Sequence, residues 1–319
     1  MRTISLVELR DLKKNFKSKS SAYPVKAVDG VDLTIEKGQV LGLIGESGSG
    51  KSTLGKIILG LEEPTSGQVL FKGQEVSRLL KKDRKAYYRQ AQMIFQNPYD
   101  VFDSNFSIER SLKDVLRTHN IASRRERELL KDLLESFSIR PAEDFLKRYP
   151  TDLSGGQLQR IAIIRSMIVH PDFLVADEPV TMLDVSVRSE IINLLLRAKE
   201  INQTSILFIS HDIATTSFIS DRLAVMYLGQ IVEEASSIQI VEDPYHPYTK
   251  VLLSYTNSIF SKKKTDRVKI KSDPPRGQNM GDKCYFSSRC YKAQDKCFNQ
   301  IPALEDVGNG RKVRCFYYG

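Results

Sequence analysis

The stretch Gly45-Glu-Ser-Gly-Ser-Gly-Lys-Ser-Thr53 constrains this chain more than any other. Its spacing, G-x-x-x-x-G-K-S, is that of a loop that cradles the phosphates of a nucleoside triphosphate, and such a loop has to sit between a strand and a helix. Both flanks comply. Val40-Leu-Gly-Leu-Ile44 reads as a buried strand, and Leu54 to Leu59 as a helical segment stopped by Gly60. A loop wrapped around phosphates turns its backbone N–H groups inward and brings the main chain close, which Gly45, Gly48 and Gly50 permit. The helix adds the positive end of its dipole, Lys51 a point charge for the outer phosphates, and the Ser52 hydroxyl a ligand for magnesium. A glycine-rich turn that merely started a helix would have no need of Lys-Ser at this spacing.

With 319 residues, 41% of them apolar, the chain can bury a large core, as one big domain with an appendage or as two small ones. No uncharged apolar run reaches the roughly 18 residues of a membrane-spanning helix, and none is expected. The first residues, Met-Arg-Thr-Ile-Ser-Leu-Val-Glu, carry charge too early for a secretory signal, so the chain is expected inside the cell. Its formal charge of +9 admits nucleic acid, an acidic membrane surface or solvated lysines. The excess lies in short tracts such as Lys262-Lys-Lys264 without interleaved aromatics, which favours solvated lysines, with a membrane-apposed face second. All four cysteines, Cys284, Cys290, Cys297 and Cys315, fall in the last 36 residues. In a reducing compartment such clustering favours a metal or cluster site over disulfides. The gaps of five, six and seventeen residues are too long for a typical zinc ribbon and miss the common ferredoxin runs, so spacing alone gives four thiolate ligands with the metal open.

Ahead of the loop, Leu6 to Ile44 alternates apolar and polar positions in pieces, as antiparallel strands do, and Phe16 and Tyr23 sit in the polar break, where either ring could stack on an adenine or lie on the surface. Gly67-Gln-Val-Leu-Phe-Lys-Gly73 predicts a further strand pair, and a basic helix follows around Leu79 to Arg89. Met93-Ile-Phe-Gln-Asn97 reads as a strand that brings Gln96 to its C-terminal end, where parallel sheets line their ligand sites. From Pro98 to about Pro150 the pattern is helical, as in a lobe inserted into the core. In Leu153-Ser-Gly-Gly-Gln-Leu-Gln-Arg160, Ser154 caps a new helix whose start, flanked by Gly155 and Gly156, makes a second anion site. Phe173-Leu-Val-Ala-Asp-Glu178 delivers two carboxylates to a strand end, Asp177 to hold magnesium through water and Glu178 to polarise an attacking water. Ile206-Leu-Phe-Ile-Ser-His211 repeats the design with His211.

In this order the elements resemble the nucleotide-binding subunit of an ABC transporter, the LSGGQ run being the most specific. The resemblance implies an α/β fold: a P-loop NTPase core with a RecA-like sheet, an antiparallel β subdomain and an inserted helical lobe, plus a small Cys-rich extension. Its division would be 1–257 for the nucleotide-binding domain, with the helical part at about 97–165, then 258–281 as a Lys-, Pro- and Gly-rich linker and 282–319 as the tail. Glu46, Ser47, Ser49 and Thr53 then belong to the Walker A loop with the residues already named. Gln96 is the Q-loop glutamine, also toward magnesium, and Leu153 to Gln157 the signature, Ser154, Gly155, Gly156 and Gln157 facing nucleotide. Phe173 to Asp177 is Walker B, Glu178 the catalytic glutamate, Asp184 the D-loop aspartate and His211 the switch histidine. Phe16 matches the adenine-stacking aromatic, with Tyr23 next. Met182 stands where the family usually has a small residue, which bears on the packing of the D-loop.

In the family two such subunits close head to tail over ATP, each nucleotide lying between one chain's Walker A loop and the other's signature helix. Glu242-Asp-Pro-Tyr-His-Pro-Tyr-Thr249 resembles the segment found in importer ATPases for oligopeptides, dipeptides and nickel, in whose tails the cysteines hold a [4Fe-4S] cluster. The implied protein is an import ATPase at the cytoplasmic face of the membrane, bound to a second ATPase subunit, identical or related, to two transmembrane permease subunits and, through them, to an extracytoplasmic solute-binding protein. The solute stays open. A soluble ABC-type ATPase acting on nucleic acid or ribosomes is the alternative, but neither the two nucleotide domains nor the long coiled-coil insertion usual there is present. An exporter subunit fits less, because Arg148-Tyr-Pro-Thr-Asp152 lacks the acidic and glycine residues found there in exporters.

Overall fold

The computed structural model describes residues 5–17, 23–121, 125–181, 183–256 and 280–319. The chain forms two compact units, one running from Ser77 to Leu207 and the other built from Ile4–Val76 and Phe208–Gly319. Met182 and nearly all of the 258–281 linker lie outside the described residues.

The two-segment unit holds an antiparallel sheet with strands in the order Val25–Glu36, Ser5–Phe16, Ser66–Phe71 and Gln74–Glu75. Leu9 faces Leu33 on one side and Val69 on the other, so the alternation in the sequence becomes one buried apolar face. The segment from Gly67 to Gly73 makes a hairpin arm as expected, turning through Lys72 and Gly73.

In the same unit Val40–Ile44, buried at every residue, runs parallel to Arg222–Tyr227, as a strand covered on both faces should. Arg222–Tyr227 pairs antiparallel with Gln230–Ser236, and this strand takes up Lys312–Val313 and then Glu305–Asp306 from the chain's end. The cysteine-bearing tail therefore extends the sheet under the phosphate loop. Tyr285, Phe286 and Cys290 share one buried cluster with Ile44, Tyr227 and Tyr248.

The Ser77–Leu207 unit pairs Ala91–Ile94 in parallel with Phe173–Asp177. Gln96 falls two residues beyond its strand, exposed in a bend, because the ladder ends at Ile94. Three helices follow, Ile108–Thr118, Glu126–Ser136 and Ala142–Lys147, which pack on one another through i, i+4 pairs such as Leu112 with Leu116 and Leu130 with Leu134. Ser107 caps the first through the Arg110 N–H. Helix Gly155–Met167 buries almost all of its apolar residues, and Val185–Asn202 follows the Asp-Glu strand. Among the described residues no helix is long and apolar enough to cross a membrane.

Candidate functional site

The phosphate loop is shaped by backbone pressed against backbone. A Cβ on Gly50, whose φ is 105°, would lie 1.9 Å from the Ala27 carbonyl oxygen, and one on Gly45 2.1 Å from that of Met226, so only glycine fits at either place. Helix Lys51–Ile58 starts at Gly50, in the left-handed conformation and without a side-chain cap. The buried Lys51 ammonium donates to the carbonyls of Gly45 at 2.8 Å and Glu46 at 3.0 Å, folded across the cradle. Gly229 N–H holds Ser49 O at 2.9 Å from behind. Ser47 is exposed, while Ser52 and Thr53 are half-buried on the first helical turn.

Glu46 has partners from far along the chain. Its carboxylate takes both Nη groups of Arg289, at 2.9 and 3.0 Å, and its N–H donates to Tyr248 Oη at 2.9 Å. Tyr248 belongs to the His-Pro-Tyr-Thr segment, and that motif is explained by how a helix begins. Glu233, fully buried, accepts the N–H groups of Tyr245 and His246; His246 Nδ1 accepts the N–H of Tyr248; Pro247 opens the helix Pro247–Thr256. Phe16 ends its strand with the Lys14 ammonium 5.0 Å above its ring, and both Phe16 and Tyr23 are exposed. His211 is exposed just after strand Ser205–Ser210, and the next residue, Asp212, caps helix Ile213–Ile219 by accepting from Ala214.

In the Ser77–Leu207 unit, strand Phe173–Asp177 is buried throughout and ends at Asp177 with Glu178 just beyond. Glu178 has φ 49°, a left-handed conformation that costs a non-glycine residue roughly 1 to 3 kcal/mol and is typical of functional turns. The Thr181 hydroxyl donates to its carboxylate. Ser154 and Gln157 close a reciprocal cap, Gln157 N–H to Ser154 Oγ at 3.3 Å and Ser154 N–H to Gln157 Oε1 at 3.1 Å. Among the described residues the N–H groups of Gly155 and Gly156 take no partner. A Cβ on Gly156 would strike Val187 at 2.6 Å, whereas one on Gly155 would meet nothing, so nothing in this chain requires Gly155 to be bare. Asp184 is exposed at the start of helix Val185–Asn202, and its side chain makes no capping bond.

The four cysteines are unbridged and line one small pocket together with His246, Phe286 and Phe316. Burial, reinforced by the other three thiols, pushes Cys284 up to about 12, and burial raises Cys315 as well. Among the described residues no group of three or more His, Cys, Asp or Glu side chains is placed to hold a metal ion. Sequence reasoning did not foresee the contacts of Arg289 and Tyr248 with Glu46 in the phosphate loop. Their pairing with Glu46 spans 243 and 202 residues, and no local pattern announces it.

Residues 28–181 match the ABC transporter family, and 232–297 match the oligopeptide/dipeptide transporter C-terminal region. The chain is 40% identical to the oligopeptide transport ATP-binding protein AppF of Bacillus subtilis, over 98% of both chains. It is 38% identical to the dipeptide transport ATP-binding protein DppF of Haemophilus influenzae, over 96% of this chain and 94% of the other. Among solved structures, the post-hydrolysis dimer of the ATP-binding cassette MJ0796 with ADP and Pi superposes with a TM-score of 0.65 at 26% identity, covering 72% of this chain and 98% of that one. A P-loop NTPase α/β fold with this C-terminal region and full-length relatives of one kind leaves a single placement: the chain belongs to the family of oligopeptide/dipeptide ABC transporter ATP-binding subunits.

Proposed function

We propose that the chain hydrolyses ATP to energise the import of di- or oligopeptides, or a related small solute, across the cytoplasmic membrane. The observation that carries this is the joining, in one compact unit, of a phosphate loop to a C-terminal region of the peptide-transporter kind. The relatives named above are transport proteins, so an ATPase working on nucleic acid is not favoured. The subunit sits at the inner face of the membrane against two permease subunits fed by an extracytoplasmic binding protein, and pairs with a second ATPase subunit, of the same or a related chain.

Roles are assigned by motif position. Gly45 to Thr53 bind the phosphates and Phe16, or else Tyr23, the adenine. Ser154 to Gln157 complete the partner's nucleotide, which the bare Gly155 and the unpartnered N–H groups support. Ser52, Gln96 and Asp177 hold magnesium, which when bound offsets phosphate charge. Glu178 polarises the attacking water, His211 and Gln96 act with it in catalysis, and Asp184 of the D-loop lies toward the nucleotide. Residues 1–257 carry this work, with 97–165 as the helical subdomain, 258–281 as linker and 282–319 as tail. Replacing Glu178 with Gln keeps shape and removes the base, so ATP turnover should fall at least about a hundredfold while ATP still binds. Turnover at the wild-type rate would refute the assignment.

Cys284, Cys290, Cys297 and Cys315 are proposed to hold a [4Fe-4S] cluster. Four unbridged thiols, Cys290 and Cys297 buried and Cys284 and Cys315 half-buried, line one pocket and supply the sulfur donors that such a cluster takes. The cluster would supply the positive charge that draws the proton from Cys284 and Cys315, the two thiols that burial raises. Anaerobically purified protein should be brown, with about four iron atoms per chain. Zinc instead of iron would refute this.

A further inference from the structure

Glu46 places a carboxylate in a loop whose purpose is to gather anions, directly after Gly45. Like charges repel more strongly in a protein than in water, so an unpaired carboxylate there works against the triphosphate. Arg289 answers it from the cysteine tail. Its Nη1 donates to Oε2 of Glu46 at 2.9 Å and its Nη2 to Oε1 at 3.0 Å, a fork on both oxygens, while Nη1 also reaches Tyr227 Oη at 3.3 Å. The Arg289 side chain is 4% exposed, 5.6 Å from the Tyr227 ring centroid and 5.9 Å from that of Phe286. Burial works against its charge, but the bonds to Glu46 and Tyr227 outweigh it and hold its pKa above the ordinary value. With the Glu46 N–H on Tyr248 and its carbonyl on Lys51, every polar group of Glu46 is engaged.

We propose that Arg289 is a positioning residue for triphosphate binding. It neutralises Glu46 and pins its carboxylate outward, so that the loop presents N–H groups and Lys51 to the phosphates. The role rests on reading Gly45 to Thr53 as the triphosphate cradle. Tyr248 acts beside it by taking the Glu46 N–H, which fixes the loop's first peptide. The chain's end thereby becomes part of its nucleotide site.

The test is titration of the full-length chain with ATP and with AMP, after circular dichroism has established that each variant is folded. Arg289→Gln keeps a polar group but shortens the side chain and loses the charge; it should weaken ATP binding about tenfold or more, the scale of a charge-assisted hydrogen bond, and AMP binding far less. Adding Glu46→Gln to it removes the exposed charge and should restore ATP affinity to within about threefold of wild type. A folded double variant as weak as Arg289→Gln alone would overturn the proposal, because a purely structural tie is not rescued by removing its other end. Glu46→Gln by itself leaves Arg289 uncompensated beside the loop and should bind ATP about threefold tighter or more; equal or weaker binding overturns the proposal, and this arm stands even where Arg289→Gln fails to fold. Lys51→Ala separates the two readings. If it binds ATP as wild type does, the cradle itself is misassigned; if it abolishes binding while Arg289→Gln changes nothing, only the role of Arg289 falls.

Discussion

His246 carries two constraints at once. Its Nδ1 must stay unprotonated to accept the Tyr248 N–H at 3.0 Å, and the ring is buried, so a charge would be costly. Burial, with Arg314 nearby adding to it, pushes its pKa down to about 3 from an ordinary 6.5. The unfolded chain takes up this proton as pH falls past about 6.5, the folded chain only near 3, so between those values the unfolded state binds more protons and stability is lost as the pH is lowered. The slope from one such group is at most about 1.4 kcal/mol per pH unit. Glu233, pushed up by burial, titrates in the opposite sense and is common to any His246 variant, so a difference measurement removes it. His246→Asn keeps a capping acceptor without a titrating group. In urea unfolding, wild type should lose about 2 kcal/mol relative to this variant between pH 7 and pH 5. A gap that does not change with pH would count against a neutral buried ring.

At the scale of elements, what could be read in the sequence was what depends on neighbours in sequence. The helix Gly155–Met167 was legible because a cap, an apolar period and the reciprocal Ser154–Gln157 bonds lie within one turn of each other. The hairpin through Lys72 and Gly73 was legible for the same reason. Gln96 was less so: whether it lies on the strand or in the bend after it depends on where the ladder with Phe173–Asp177 ends, and that is settled by a segment some eighty residues away. The role of Glu46 was invisible, because in the phosphate-loop pattern its position accepts any residue. His-Pro-Tyr-Thr could be recognised but not explained until Glu233 appeared beneath its N–H groups. A motif known by resemblance carried family information without its physical reason; in the structure it is a helix start that aims one tyrosine at the phosphate loop.

For the molecule as a whole, the cysteine tail looks in sequence like an appendage joined by a linker, too short to bury much core. In the structure it borrows one. Phe286 is 1% exposed and meets Tyr227 edge-on at 5.3 Å, Tyr248 at 5.4 Å and His246 at 5.8 Å, between the sheet and the helix that reaches Glu46. Lys312–Val313 then adds a strand next to Gln230–Ser236. A tail held this way should not melt alone. Phe286→Ala removes the most deeply buried tail side chain in that cluster and should cost about 3 to 5 kcal/mol, the range for emptying a buried aromatic site. Because the cavity opens beside both Tyr227, which Arg289 touches, and Tyr248, the loss should also reach the phosphate loop. Calorimetry of the variant should show the transition that ATP stabilises moving down with the tail's own loss of structure, and the shift produced by saturating ATP shrinking. A separate early transition for the tail, leaving the ATP-stabilised transition of wild-type height, would mean that the tail and the nucleotide loop are only neighbours.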